Sequence, residues 1–293
     1  MAQRTAKQRR ADNQRAAKLA ELRAAERRRR TRVIGSLAAV GVVILIVVIM
    51  VVVKVSTGDN GKAGSTSASG KVVSQATSVP ASVFDSVGAG TVNNPPKAIS
   101  GQVSSGKPKV LYVGAEYCPY CAAERWAVVA ALSRFGTWSN LGETTSSSTD
   151  VYANTPTLSF HGASFDSKYL DFAGWETQDR HQQPLDTLPK ADQQLFAKYD
   201  APPYVDQSSA GAIPWMYYDG KYISSGASYD PGVLQGLTHA QIAKAMHDPG
   251  SAVAKGVDGT ANTITAALCK LTDGKPGNVC NSAGVKAGAA KLK

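Results

Sequence analysis

The 293-residue sequence has only four cysteines, too few for a small disulfide-dense fold, and its 27 glycines follow no triplet period, which excludes a collagen-like chain. It has one long apolar run and no second of similar length for that run to pack against. Net positive charge is also scarce over most of its length. Residues 1–32 hold twelve basic side chains against Asp12, Glu21 and Glu26, a net of +9 within a whole-chain charge of +10. The rest of the chain is close to neutral, so a globally basic nucleic-acid-binding domain is excluded, and nothing aromatic interleaves the basic arm.

The apolar run, residues 33–53, is 21 residues without a charge or a proline. As a helix rising about 1.5 Å per residue it covers the roughly 30 Å hydrocarbon core of a bilayer. A cleavable signal peptide would need a shorter basic region and a shorter apolar stretch. Arg27 to Arg30 and Arg32 crowd its amino end, whereas only Lys54, Lys62 and Lys71 soon follow. The positive-inside bias therefore puts the N-terminus in the cytoplasm and the rest of the chain outside, anchored by a single pass through the cell membrane. The basic arm, 1–32, reads as a topology and retention signal attracted to anionic lipid. Residues 54–80 turn to Ser, Thr, Gly and Ala and read as a flexible linker of roughly 25–30 Å reach. An outer domain over 81–254 and a C-terminal helical extension over 255–293 complete the expected organisation.

Within the outer domain, Lys109–Val113 is a short apolar, β-branched run that reads as a buried strand and leads directly into Cys118-Pro119-Tyr120-Cys121. Val128, Leu132 and Phe135 then fall at i, i+4 and i+7, which predicts a helix over 119–135 with Pro119 in its first turn. Thr157–Phe160 and Lys168–Trp175 read as strands, and Pro189–Tyr199 as an extra helix started near Asp186 or Thr187. Ile213-Pro214 precedes two apolar runs joined by Asp219-Gly220, a strong hairpin signal. Thr238 to Gln241 has capping-box spacing and opens a helix carrying Ile242, Ala245 and Met246. The order is strand, helix, strand, helix, hairpin, helix.

Local pairing of the cysteines is expected. Cys118 and Cys121 close almost no loop, so a bridge between them stabilises little through the unfolded chain. At a strand-to-helix junction they make better sense as a redox pair, because free N–H groups and the helix dipole favour a thiolate on Cys118. Cys269 lies on a probable helix with Ile264, Leu268 and Leu271, and a turn-rich segment leads to Cys280. That pair reads as a structural disulfide worth roughly 3 kcal/mol. Its spacing does not complete a zinc site, and neither a metal nor a cofactor is expected. His161, His181, His239 and His247 have no ligand spacing and read as surface residues.

The stretch Val110 to Cys121, its helix, Ile213-Pro214 and the hairpin resemble the thioredoxin superfamily over about 95–247 with an insertion, and Cys-Pro-Tyr-Cys is similar to the glutaredoxin core. More narrowly, Gly114 to Trp126, Ser146 to Val151 and Ile213-Pro214-Trp215 resemble an uncharacterised membrane-anchored thioredoxin-like family, domain of unknown function 929. The resemblance implies an α/β thioredoxin-like fold with a helical insertion, preceded by one transmembrane helix. It also implies a cis Pro214 facing the cysteines and a backbone at Ile213 that pairs with substrate, beside Tyr120. One position departs from that pattern. Where thioredoxins carry a buried acid six residues before the first cysteine, this chain has Tyr112, whose phenol near pKa 10 is a poor base at neutral pH. Glu116 is the nearest alternative acid, though its direction is left open. Tyr120 can donate a hydrogen bond to a thiolate but adds no positive charge.

These features predict a membrane-anchored thiol–disulfide oxidoreductase in which Cys118 exchanges with extracytoplasmic cysteine-containing proteins and Cys121 resolves the mixed disulfide. A membrane redox partner would restore the pair. The rival is a tethered thioredoxin-like binding or assembly module whose pair stays closed, and Tyr112 keeps that rival open.

Overall fold

A computed structural model describes the backbone of residues 66–67 and all of residues 70–292; the expected basic arm, membrane span and most of the linker lie outside the described residues. Among the described residues no helix is long and apolar enough to cross a membrane. In chain order the elements are β1 (Thr66–Ser67), α1 (Gly70–Thr77), α2 (Ala81–Val87), β2 (Lys97–Ala98), β3 (Lys109–Gly114), α3 (Pro119–Leu132), β4 (Thr137–Ser139), β5 (Gly142–Thr145) and β6 (Pro156–Ser159). They continue with β7 (Ser164–Asp166), β8 (Asp171–Glu176), α4 (Lys190–Tyr199), β9 (Trp215–Tyr218), β10 (Tyr222–Ser225), α5 (His239–Ala245), α6 (Ala252–Leu271), α7 (Gly277–Cys280) and α8 (Ala283–Ala289).

The architecture is mixed α/β around a five-stranded sheet of order β2-β10-β9-β3-β8. β3 runs parallel to β8 and antiparallel to β9, and β9 forms the expected hairpin with β10. The hairpin turn has positive φ at both Asp219 and Gly220, the conformation that an Asp-Gly pair tolerates. Val110 to Val113 of β3 are at most 1% exposed, because both faces of the strand are covered. Alternation divides them: Val110 and Tyr112 join the core that includes α3 and α6, while Leu111 and Val113 join Trp215, Tyr217, Leu188 and Tyr199 on the other face.

Helix α3 is buried almost all round, with Tyr120 its one exposed residue. Its small side chains, five of them alanine, let the sheet, α1 and α6 approach it from different sides. The Trp126 indole donates to Pro156 O at 2.9 Å and Thr157 Oγ1 to Ala122 O at 2.8 Å, which fastens α3 to β6. The helix ends at Leu132, three residues short of the predicted end, and Phe135 enters the core from the turn beyond it.

The tail of the linker is ordered, because Val72 and Ala76 of α1 give the Gly- and Ser-rich segment a narrow apolar stripe that docks against α5 and α3. α6 begins at Ala252, capped by Ser251, runs through the expected limit at 254 and packs along α3 and α8. β8 starts at Asp171 rather than Lys168, because Ser167 Oγ accepts the Tyr169 and Leu170 N–H groups and holds a turn there. The capping box of α5 forms as expected between Thr238 and Gln241.

Candidate active site

Cys118 is the N-cap of α3. Pro119 suits the first helical position because it has no N–H to leave unpaired, and the Cys121 N–H donates to Cys118 Sγ at 3.3 Å. Both thiols are free; Cys118 is 6% exposed and Cys121 is fully buried. Hydrogen bonding from Cys121, its side chain first and then its backbone, lowers the Cys118 pKa against the opposing effect of burial, with help from the Arg125 charge. Burial first, then the neighbouring Cys118, push Cys121 well above an ordinary thiol. The two sulfurs therefore differ in ionisation and in access.

The Ile213–Pro214 peptide is cis, and the Cys118 thiol faces Ile213 O at 3.8 Å. Tyr120, 41% exposed, meets Tyr152 edge-on at 6.2 Å between ring centroids. Tyr120, Tyr152 and Ile213 line a groove of about 670 Å³ together with Gly226, Ala227 and Asp230. The Tyr152 hydroxyl donates to Asp230 Oδ1 at 3.3 Å. Ser147, in the second stretch of the family resemblance, donates its N–H to Tyr117 O at 2.8 Å and so buttresses the turn before Cys118. Cys118, Cys121, Tyr120, Ile213 and Pro214 are thus brought to one place. Cys269 and Cys280 are elsewhere, joined in a disulfide between the end of α6 and α7.

Sequence reasoning missed the charges behind the pair. Arg125 follows Cys121 by one helical turn, lies on the same side of α3 and is 0% exposed. Its Nε and Nη2 donate to the two Glu176 oxygens at 2.8 and 3.1 Å, and Nη2 also donates to Ala115 O at 2.6 Å. Ala115 O accepts the Cys118 N–H as well, so the guanidinium and the turn before α3 share an acceptor. Burial works against the Arg125 charge, but Glu176 outweighs it and holds the cation charged, while burial pushes Glu176 above the ordinary carboxylate range. An arginine inside an otherwise apolar helix was the available signal. Its partner lies 51 residues away on β8 and could not be read from spacing.

Glu116, the alternative acid, is buried and already engaged, accepting from Ser159 Oγ at 2.6 Å and Thr144 Oγ1 at 3.2 Å. Tyr112 is wholly buried, and burial raises its phenol further above neutrality. The histidine expectation needs correction at three positions, the first being half-buried His161, whose Nδ1 lies 2.7 Å from Asp186 Oδ1. His239 is half-buried, with Nε2 within 2.8 Å of Thr144 O and 3.1 Å of Thr157 O, and half-buried His247 meets Gln75 O at 2.9 Å. Both tie helices to neighbouring segments. Among the described residues no cluster of three acidic, histidine or cysteine side chains could hold a metal ion.

A family model described as a domain of unknown function (DUF929) matches residues 98–270, more than half of the chain. The chain belongs to that family. No curated protein and no solved structure matches it. The DUF929 match runs from β2 to the last turn of α6, so it takes in the cysteine pair, Arg125, Glu176 and Ile213-Pro214, and it stops short of Cys280. The family description assigns no activity, which leaves the chemistry to the site itself.

Proposed function

We propose that this DUF929 protein is a thioredoxin-like thiol–disulfide oxidoreductase, anchored in the cell membrane by residues 33–53 and acting on cysteine-containing proteins outside it. The observation that carries the reading is the cysteine pair at the start of α3: an N-capping sulfur with a lowered pKa above a buried one with a raised pKa, opposite the Ile213 carbonyl. A structural clasp has no need of that asymmetry. The order strand, helix, strand, helix, hairpin, helix around β3 supports the thioredoxin-like assignment.

An oxidising outer compartment favours transfer of a disulfide to the substrate. A substrate thiolate attacks Cys118 Sγ of the oxidised pair; the Cys118–Cys121 bond breaks, a mixed disulfide forms, and Cys121 leaves as thiolate. A second substrate thiolate then attacks the substrate sulfur of that mixed disulfide and expels Cys118. The substrate has lost two electrons and the pair has gained them, and a membrane partner must take them up. A lowered Cys118 pKa suits it as the leaving group of the second step. The groove beside Tyr120 and Ile213 holds the cysteine-bearing segment, and the basic arm lies against anionic lipid on the inner side.

Replacement of Cys121 by Ser tests the reading. Non-reducing gels of membranes should show adducts to outer-surface proteins through Cys118, because its thiolate runs the second step in reverse on a substrate disulfide and no Cys121 remains to complete the exchange, whereas Cys118→Ser should trap none. If neither variant traps a partner and the wild-type pair resists physiological reductants, the rival reading of a tethered module with a closed pair replaces this one.

A further inference from the structure

The Tyr112 hydroxyl is buried and has no hydrogen-bond partner among the described residues. Buried hydroxyls in folded proteins are almost always bonded, so a donor left without an acceptor points to a state of the site in which an acceptor appears. The position of this hydroxyl is set by a gap in the sequence. Side chains two apart on a strand share a face, and the residue two beyond Tyr112 is Gly114. A Cβ at Gly114 would meet two Tyr112 ring carbons at 2.7 Å and the phenol oxygen closer still. The phenol therefore lies along β3 over Gly114, and its oxygen is carried to the carboxyl end of the strand, where the chain turns toward Cys118. Phe160 holds the ring edge-on, with 4.9 Å between centroids.

The group that becomes an acceptor during thiol exchange is the Cys121 sulfur, fully buried on α3 one turn before Arg125, whose Nη2 reaches Ala115 O just beyond Gly114. Of the charges that act on Tyr112, Cys121 is the largest, ahead of Arg125, Glu176 and Cys118. The same groups face Cys121, with Arg125 favouring its thiolate and Glu176 opposing it. The other nearby donors are committed. Arg125 gives its protons to Glu176, Ala115 O and Thr157 Oγ1; the Cys121 N–H points to Cys118 Sγ; the Thr157 hydroxyl donates to Ala122 O. We propose that the Tyr112 hydroxyl donates a hydrogen bond to the Cys121 sulfur whenever exchange leaves that sulfur as a thiolate, and that Gly114 is there to admit it.

This inference rests on the exchange reading above. Tyr112 keeps its proton throughout, which its raised pKa ensures at any working pH. When the Cys121 thiolate attacks Cys118 Sγ, the bond to the substrate sulfur breaks and the substrate leaves as thiolate. It takes up one proton, replacing the one Cys121 has lost to solvent. In the opposite direction the same donor steadies Cys121 as it is expelled. A carboxylate at this place would take the proton itself; a phenol lowers the energy of the thiolate without taking it.

The test loads Cys118 of the full-length protein with glutathione as a mixed disulfide and follows glutathione release as Cys121 closes the pair. Tyr112→Phe should slow release about tenfold, the effect of one lost hydrogen bond to a charged group, and move the pH midpoint of release upward. Alkylation of Cys118 in the reduced protein should be unchanged, and the fold should be at least as stable, since an unpaired hydroxyl has gone. If that variant does not fold, 3-fluorotyrosine at position 112, a stronger donor of nearly the same size, should speed release instead. Release at the wild-type rate and pH midpoint in Tyr112→Phe, or an unchanged rate with fluorotyrosine, overturns the role given to Tyr112 while leaving exchange intact. No release from the wild-type protein removes the exchange reading, and this inference falls with it.

Discussion

The chain holds two pairs of cysteines that differ in everything except the residue. Cys269 and Cys280, separated by 11 in sequence, bridge the end of α6 to the short α7, and their bond closes a turn at the end of a packed helix. Cys118 and Cys121 are three apart, unbonded, and sit where a buried strand feeds a buried helix over an Arg125–Glu176 ion pair. The first pair gains stability from the chain it constrains. The second gains a difference in ionisation from its surroundings, so position in the fold, and not cysteine itself, separates a clasp from a pair of unequal thiols.

Removing the ion pair should break this comparison most severely. Arg125→Met leaves Glu176 as an unpaired charge in a fully buried place, which costs about 3–5 kcal/mol. The loss should be read from denaturant unfolding. Cys118 should also titrate at higher pH in alkylation assays, because one of the influences that lower its pKa has gone. A variant as stable as wild type would mean that the buried pair contributes little to holding β8 against α3.

Replacing both Cys269 and Cys280 by Ser should lower stability by roughly 3 kcal/mol, from the loop of about twelve residues that their bond closes. Cys118 alkylation and mixed-disulfide resolution should not change. Loss of exchange with stability preserved would make the second pair a relay, and the contrast between the two pairs would dissolve.

How much of this was legible in the sequence depends on how local each feature is. β3, the N-terminal end of α3, the Asp219-Gly220 hairpin and the α5 capping box are written in neighbouring residues and appear where those residues place them. α1 was hidden because its apolar stripe is short and set among Gly, Ser and Thr, so composition favoured a linker. The small strands β1, β4, β5 and β7 carry no alternation long enough to read. At the site, Cys118 and Cys121 were legible from motif and spacing, and Pro214 only through the family resemblance. Glu176 was not, because only the parallel register of β3 with β8 sets it opposite Gly114 and within reach of Arg125. Nor could the sequence reveal that Tyr112 lies over Gly114 instead of pointing away from the cysteines.

α6, the helix that carries Cys269, also carries Asp258, which has 0% exposure and no hydrogen-bond partner for either carboxyl oxygen among the described residues. Burial pushes its pKa up to about 8 against the opposing Arg134 charge. A carboxyl whose folded pKa lies above its unfolded value binds more protons when folded. Stability should therefore be greatest below about pH 4 as far as this group is concerned, and be lost as pH rises through about 8. Glu124, buried against Ser228 and raised to about 7, contributes in the same direction from about pH 4.5 upward. Asp258→Asn should remove the larger part of that decline and raise stability on the order of 2 kcal/mol at pH 7. Unfolding curves at pH 5, 7 and 8.5 check it, and an unchanged slope would show Asp258 to be charged and accommodated in the native state.

The smallest stability effect falls on the exposed neighbour of Cys118 and Cys121. Tyr120 sits between the two cysteines, yet 41% of it is exposed and its ring touches Tyr152 only edge-on. Tyr120→Ala removes little buried area and no cap, so stability should stay within about 0.5 kcal/mol of wild type. Its consequence lies in the groove that it borders with Ile213 and Asp230. On the proposed reading a protein substrate lays its chain there to bring a cysteine to Cys118, whereas a small disulfide such as oxidised glutathione needs only the sulfur. Exchange with unfolded cysteine-containing proteins should therefore slow several-fold while exchange with glutathione stays the same. Equal slowing of both would place Tyr120 in the chemistry of the thiolate. No slowing of either would show that the groove is not where substrates bind, and that the surroundings of the pair set its reactivity without choosing its partners.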